Sequence, residues 1–217
     1  MKELFILLKK EFLLDFRESS GLTSVIVYLI SILYSTSLLF KNNYTPVSYS
    51  SVYLIIFLFT SIIISYRNFA KEDKNSTIFN YLFYSPIQYI LGKIIYSSIM
   101  NLVVAFLLFV LFVLFNGLKI ENLTLFIINT IGLSIGMGII LTLMGSISNK
   151  VQSNFALMSI MSFPLLLPIM ILSAKMCIAS IQNIPTSMNV KYIFSLYSMD
   201  IICLMLASVL FPQVWEE

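Results

Sequence analysis

Apolar residues in this chain are concentrated in six long, nearly uncharged stretches. They run over about 22–40, 47–66, 94–115, 123–147, 155–179 and 192–211. An α-helix needs roughly 20 mostly apolar residues to cross the ~30 Å hydrocarbon core of a bilayer. The pattern therefore predicts an all-α integral membrane protein with six transmembrane helices, forming a single domain over 1–217.

The first 20 residues follow a different pattern, in which charged and apolar positions are interleaved at helical spacing. At about 100° per residue, Phe5, Leu8, Phe12 and Phe16 fall on one side of a helix. Glu3, Lys10 and Arg17 lie opposite. This spacing predicts an amphipathic helix lying in the membrane interface over 1–20. A plain helical extension of the first span is the alternative.

The distribution of basic residues predicts the orientation in the membrane. Nine of the 13 Lys and Arg residues lie in 1–21, 67–93, 148–154 and the C-terminal tail, which all belong to one side of a six-span protein. Cytoplasmic loops carry the excess of basic residues in membrane proteins. We therefore expect both termini in the cytoplasm.

The longest segment outside the spans, 67–93, is then a cytoplasmic loop. It opens with charged residues and continues with aromatic ones, and Ser76 or Thr77 could cap a helix that Ser85-Pro86 would end. Such a coupling helix between spans two and three suits docking of a cytoplasmic partner, whereas a segment that only packs on lipid is the simpler alternative. The residues expected to contribute to docking are Glu72, Asp73, Phe79, Tyr81, Leu82, Ser85, Pro86 and Lys93.

Composition narrows the functional classes. Hydrophobic residues make up 59% of the chain and charged residues 11%, against about 45–50% and ~25% in soluble domains, so a soluble protein is excluded. The chain has no histidine, no phosphate-binding loop motif and no cysteine cluster, so we expect no catalytic, metal or cofactor site. A net charge of +3 does not indicate nucleic-acid binding.

Three features inside the spans stand out. Asp200 lies midway along the sixth span, where a charge is costly, so it is either a functional polar contact or a protonated residue that locks helices together. Gly132, Gly136 and Gly138 give the fourth span a surface of small residues, suited to packing within the chain or to a homodimer contact. Pro164 and Pro168 predict a kink in the fifth span, which is either a hinge or a fixed bend.

Five segments spread along the chain carry a resemblance to a known family. They are Leu7–Arg17, Tyr84–Pro86 with Gly92-Lys93, Gly145–Lys150, Phe163–Ile171, and Leu210–Pro212 with Trp215. In order and spacing the chain resembles the CcmB family, the permease component of the haem exporter ABC transporter of cytochrome c maturation, and looks most like versions from the Bacteroidetes lineage. One departure is the 74–78 stretch, which lacks the Gly and Glu that many relatives carry there.

The resemblance implies a non-catalytic permease in the bacterial inner membrane. It implies a separate CcmA-like ATPase, CcmC-like and CcmD-like membrane proteins, and a CcmE-like periplasmic haem chaperone as partners. ATP would then be bound by the partner, and haem would be the species handled. The expected role is to couple ATP hydrolysis to haem export or to release of the haem-loaded chaperone.

Other functions fit the same residues. A general ABC-2 type export permease for a lipid, peptide or drug would have the same architecture. A membrane-embedded enzyme would need a second polar group at the depth of Asp200, and the sequence offers none clearly. A purely structural assembly factor is the third alternative.

Overall fold

The structure is a computed structural model that describes residues 2–17, 19–40, 45–70, 84–117, 120–151 and 155–216. All regular structure in these ranges is helical. The helices are α1 (Lys2–Arg17), α2 (Ser19–Phe40), α3 (Pro46–Ala70), α4 (Pro86–Asn116), α5 (Leu123–Val151), α6 (Phe155–Ile181) and α7 (Val190–Glu216), and a 3-10 turn at Thr186–Asn189 precedes α7. Within the described ranges six helices, α2 to α7, are long and apolar enough to cross a membrane. The predicted all-α, six-span membrane protein is confirmed.

Helix α5 is the centre of the bundle. It packs on α3, α4, α6 and α7, and nearly every side chain from Gly132 to Ser146 is buried. Helix α2 lies at the periphery, where it contacts α3 and α4. Because lipid provides no hydrophobic force that drives helices together, a central helix needs small residues that let neighbouring backbones approach, and α5 supplies glycines for this.

Six helices converge at one end of the bundle, which we call the clamp end. Here the Tyr66 ring of α3 meets the Phe155 ring of α6 at 5.3 Å, and the Trp215 ring of α7 lies 5.0 Å from the Tyr89 ring of α4. Helix α1 packs on α4 at the same end, and the last turns of α5 reach Phe69. Helix α3 ends and helix α4 begins at this end.

Helix α4 begins at Pro86, eight residues before the predicted start of the third span at about Ile94. The reason is a capping box: the Ser85 hydroxyl accepts from the Gln88 backbone N–H at 3.4 Å, and the Gln88 side chain accepts from the Ser85 N–H at 3.3 Å. Proline suits the first helical position, where its missing N–H leaves no bond unmade. Ser85-Pro86 thus begins α4, and the predicted loop helix that it would end lies outside the described residues.

Helix α1 presents a different side to the bundle from the predicted aromatic stripe. Leu7 and Glu11 are its buried residues among those whose side chains are described, and Leu8 and Phe12 are half-buried at the edge of the contact. Leu7 sits over Gly92 of α4, where an added Cβ would come within 2.6 Å of a Leu7 methyl carbon. The Phe12 ring meets the Tyr96 ring edge-on at 5.0 Å. That α1 lies in the membrane interface stays a prediction.

Candidate functional site: a buried lysine clamp and an intramembrane aspartate

The ammonium group of Lys93, about two turns into α4, is buried at the clamp end. Only 2% of its side chain is exposed, and its Nζ lies 3.7 Å from Glu11 Oε1 on α1. It donates to the backbone carbonyl of Asn68 at 3.4 Å. The same Nζ lies 4.7 Å from the centre of the Phe69 ring and 5.6 Å from that of Tyr89. We call Glu11, Asn68, Phe69, Tyr89 and Lys93 the clamp.

The clamp satisfies a charge that burial would otherwise make unfavourable. An ammonium removed from water needs an opposite charge, hydrogen-bond acceptors or aromatic faces to replace its hydration. Glu11 supplies the charge, Asn68 an acceptor, and two ring faces supply cation–π contacts. One lysine thereby joins α1, the end of α3 and the beginning of α4.

The clamp extends to α5 and α7 through its aromatic rings. Phe69 packs over Gly145 of α5, where an added Cβ would lie 2.5 Å from the ring. Tyr89 stacks on Phe211 at 5.8 Å and lies 5.0 Å from Trp215, the single tryptophan of the chain. The two helix ends that flank residues 71–83 are therefore fixed to α1, α5 and α7.

The structure describes part of the predicted docking segment. Ser85 and Pro86 form the N-terminus of α4, and Lys93 lies inside the clamp rather than on a loop surface. The other predicted docking residues, Glu72, Asp73, Phe79, Tyr81 and Leu82, lie outside the described residues.

Asp200 of α7 is buried in the middle of the bundle, with 3% of its surface exposed. Gly136 of α5 has no Cβ, and Asp200 Oδ1 lies in the space that a Cβ there would need. A methyl of Ile169 on α6 lies 2.8 Å from the position of that absent Cβ. Neither carboxyl oxygen has a hydrogen-bond partner in the part of the chain that the structure describes. Asp200 thus sits where α5, α6 and α7 meet.

The glycines of α5 contact other helices of the same chain. A Cβ on Gly132 would come within 2.6 Å of a Leu196 methyl on α7, and Gly136 contacts Asp200 as described. Gly138 faces α4, where an added Cβ would lie 2.8 Å from the backbone nitrogen of Ser98. The row of small residues therefore serves two interfaces within the chain.

Pro164 and Pro168 lie within α6, which runs unbroken from Phe155 to Ile181. Pro164 is exposed and Pro168 is half-buried. Each proline removes one backbone donor from the helix. A hinge at these prolines stays a prediction.

Sequence reasoning missed Glu11 and Asn68. A signal for Glu11 was present, because an acid four residues after Leu7 and next to Phe12 interrupts the apolar side of α1 and requires a buried partner. No local signal indicated Asn68, since it contributes a backbone carbonyl that any residue carries.

Comparison with known proteins gives one match. A protein-family model described as "CcmB protein" matches residues 2–214, nearly the whole chain. No curated protein and no solved structure matches the chain.

Proposed function

The chain belongs to the CcmB family, and we propose that it couples ATP hydrolysis by a separate CcmA-like subunit to haem export or to release of a haem-loaded CcmE-like chaperone. Family membership makes it a permease subunit of an ABC transporter for cytochrome c maturation, a non-catalytic, multi-pass membrane protein that works with other Ccm components. The route of coupling and the individual partners are our proposal.

The observation that supports this route is the clamp. A force applied by an ATPase to residues 71–83 reaches the bundle through the end of α3 and the beginning of α4. Lys93 and the rings of Phe69 and Tyr89 tie both helix ends to α1, α5 and α7. A displacement of the segment would therefore move several helices together instead of bending one loop.

The proposed orientation follows from the same end of the molecule. The clamp end would face the cytoplasm of a bacterial inner membrane, with both termini on that side, in agreement with the excess of basic residues there. CcmC-like and CcmD-like proteins would contact the lipid-facing sides of the bundle. The CcmE-like chaperone would bind at the opposite, periplasmic end of the bundle.

Site-directed cross-linking tests the docking. Single cysteines replace Tyr81 in the segment or the exposed Ile87 in the first turn of α4, and Met188 at the opposite end provides the control. In membranes that also contain the CcmA-like ATPase, we expect the first two to cross-link to it and the control to stay unlinked. Cross-links from Met188 alone, or from none of the three, would contradict the proposal.

A functional assay completes the test. The purified chain alone is expected to hydrolyse no ATP, and cells that carry Lys93→Met are expected to assemble fewer c-type cytochromes. Normal cytochrome assembly in cells that lack the ATPase activity would favour the structural assembly factor. Normal assembly in cells that lack this chain would favour a general export permease.

A further inference from the structure

In the part of the chain that the structure describes, neither oxygen of the Asp200 carboxyl has a hydrogen-bond partner. Its Oδ1 lies against Gly136 of α5, beside a methyl of Ile169 on α6, and neither of these residues carries a polar side chain. The nearest titratable groups on its own helix are the Tyr197 hydroxyl, which donates to the Ile128 carbonyl at 3.0 Å, and the Cys203 thiol. Neither provides a positive charge.

The basic residues of the helices packed on α7 lie far along the bundle. Helices α4, α5 and α6 each contain one, namely Lys93, Lys150 and Lys175. Lys93 is held in the clamp, and Lys150 follows Gly136 by 14 residues, or about 21 Å along the axis. Lys175, together with Lys191 of α7 itself, lies over the Tyr192 ring, eight residues or about 12 Å from Asp200.

Close packing also leaves no room for a hydrated counter-ion. Both carboxyl oxygens are enclosed by protein atoms, and Oδ1 takes up the space that the missing side chain of Gly136 leaves. An ionised carboxylate without partner or water is strongly disfavoured at this depth. A proton removes the charge and needs no additional volume.

We infer that Asp200 is a proton-binding site at the meeting point of α5, α6 and α7, and that it carries a proton while these helices are packed as in this structure. Separation of α7 from Gly136 would admit water, and the proton would then leave to that water as the carboxylate forms. The contact between α5 and α7 is therefore coupled to protonation. This inference is independent of the proposed ATPase coupling and is tested on this chain alone.

Infrared spectroscopy of the purified full chain in lipid at neutral pH tests the proton directly. We expect a carbonyl band of a protonated carboxylic acid in the wild type and its loss in Asp200→Asn. The band should persist in Glu121→Gln, because Glu121 is an exposed residue 15 positions before Gly136. Absence of the band from the wild type, or its persistence in Asp200→Asn, would overturn the inference.

Two further variants locate the site. Gly136→Ala places a methyl against Asp200 Oδ1 and should shift or remove the band, whereas Gly138→Ala faces Ser98 on α4 and should leave it unchanged. Equal band shifts in both variants would contradict a local contact with Gly136.

The pH dependence of unfolding gives a second readout that does not depend on the infrared band. A native state that holds a proton which the unfolded state has released becomes less stable as pH rises. The unfolding midpoint of the wild type should therefore fall between mildly acidic and mildly alkaline pH by more than that of Asp200→Asn. At acidic pH, where the unfolded aspartate is protonated too, the two proteins should unfold at similar midpoints, since Asn is a neutral side chain of the same shape. At neutral pH Asp200→Asn should unfold at or above the wild-type midpoint, because Asn takes up no proton on folding. A large loss of stability in Asp200→Asn at neutral pH would show that the native carboxylate is charged and paired, and would refute the inference.

Discussion

Replacement of Glu11 by glutamine tests the energetics of the clamp. The substitution keeps the size of the side chain and removes the negative charge that lies 3.7 Å from Lys93 Nζ. The lysine then remains buried, and the Asn68 carbonyl and two aromatic rings still contact its Nζ. We expect Glu11→Gln to destabilise the chain because it removes a negative charge 3.7 Å from a buried ammonium group.

The magnitude follows from the distance. At 3.7 Å and an effective dielectric constant of about 20, the attraction between the two charges is about 4.5 kcal/mol. The carbonyl and the ring faces retain part of the stabilisation, so the loss in Glu11→Gln should be about 3 kcal/mol, at the lower end of the range for breaking a buried pair. Lys93→Met leaves Glu11, which is 7% exposed, without its partner and should cost a similar amount.

The double variant separates the pair from its surroundings. With both charges removed, neither partner remains buried and unpaired, and replacement of a whole buried ion pair by uncharged groups is often nearly neutral. We expect the combination of Glu11→Gln with Lys93→Met to recover most of the stability, to within about 1 kcal/mol of the wild type. Glu121→Gln, an exposed acid at the opposite end, is the matched control and should change stability by less than about 0.5 kcal/mol.

Unfolding of the purified chain by a denaturing detergent gives these free energies. Trp215, the single tryptophan, reports on the clamp by fluorescence because its ring lies 5.0 Å from that of Tyr89. Glu11→Gln should alter the Trp215 emission before global unfolding, and the double variant should restore it. If the double variant is as unstable as the sum of the single variants, the two residues are not coupled and the reasoning is refuted.

Three further predictions concern the packing and capping of the spans, each measured by thermal unfolding. Gly138→Ala should lower the free energy of unfolding by about 1–3 kcal/mol, because the new methyl meets the backbone of Ser98. Gly132→Ala should lower it by less, because its methyl meets only a flexible leucine side chain, and equal losses would contradict this. Ser85→Ala should lower the free energy of unfolding by about 1 kcal/mol through loss of the N-cap of α4, whereas Ser85→Asp should retain the cap. Equal stability of the two variants would indicate that the cap contributes nothing. Asn122→Asp should lower the free energy of unfolding by about 1–3 kcal/mol. Aspartate keeps the oxygen that caps α5 but loses the N–H group that donates to the Ile184 carbonyl at 2.9 Å, and unchanged stability would show that this hydrogen bond contributes nothing.

The sequence predicted the spans well because hydropathy and length are local properties. The six apolar stretches coincide with α2 to α7, and the largest difference is the beginning of α4. Ser85-Pro86 was predicted from its power to end a helix, whereas the Gln88 side chain, which completes the capping box, makes it the beginning of α4. The resemblance seen in scattered segments agrees with the family match over residues 2–214.

The sequence also identified Asp200 as an exceptional residue, because charge at an apolar position is a local signal. It did not identify the surroundings of Asp200 or of Lys93. Lys93 was assigned to a loop surface, whereas the structure buries it against Glu11, a residue 82 positions earlier in the chain. Asp200 was recognised as costly, but the contact with Gly136 was not foreseen.

By itself, then, the sequence determined the class of protein, the number of spans and the family. The tertiary structure decided which charges meet, which face of α1 is buried and which glycine serves which interface. The physical reason is that insertion into a bilayer depends on the average hydropathy of each segment, whereas pairing depends on the rotation and register of one helix against another. A rotation of α1 by one residue would keep the same apolar content and would turn Glu11 away from Lys93.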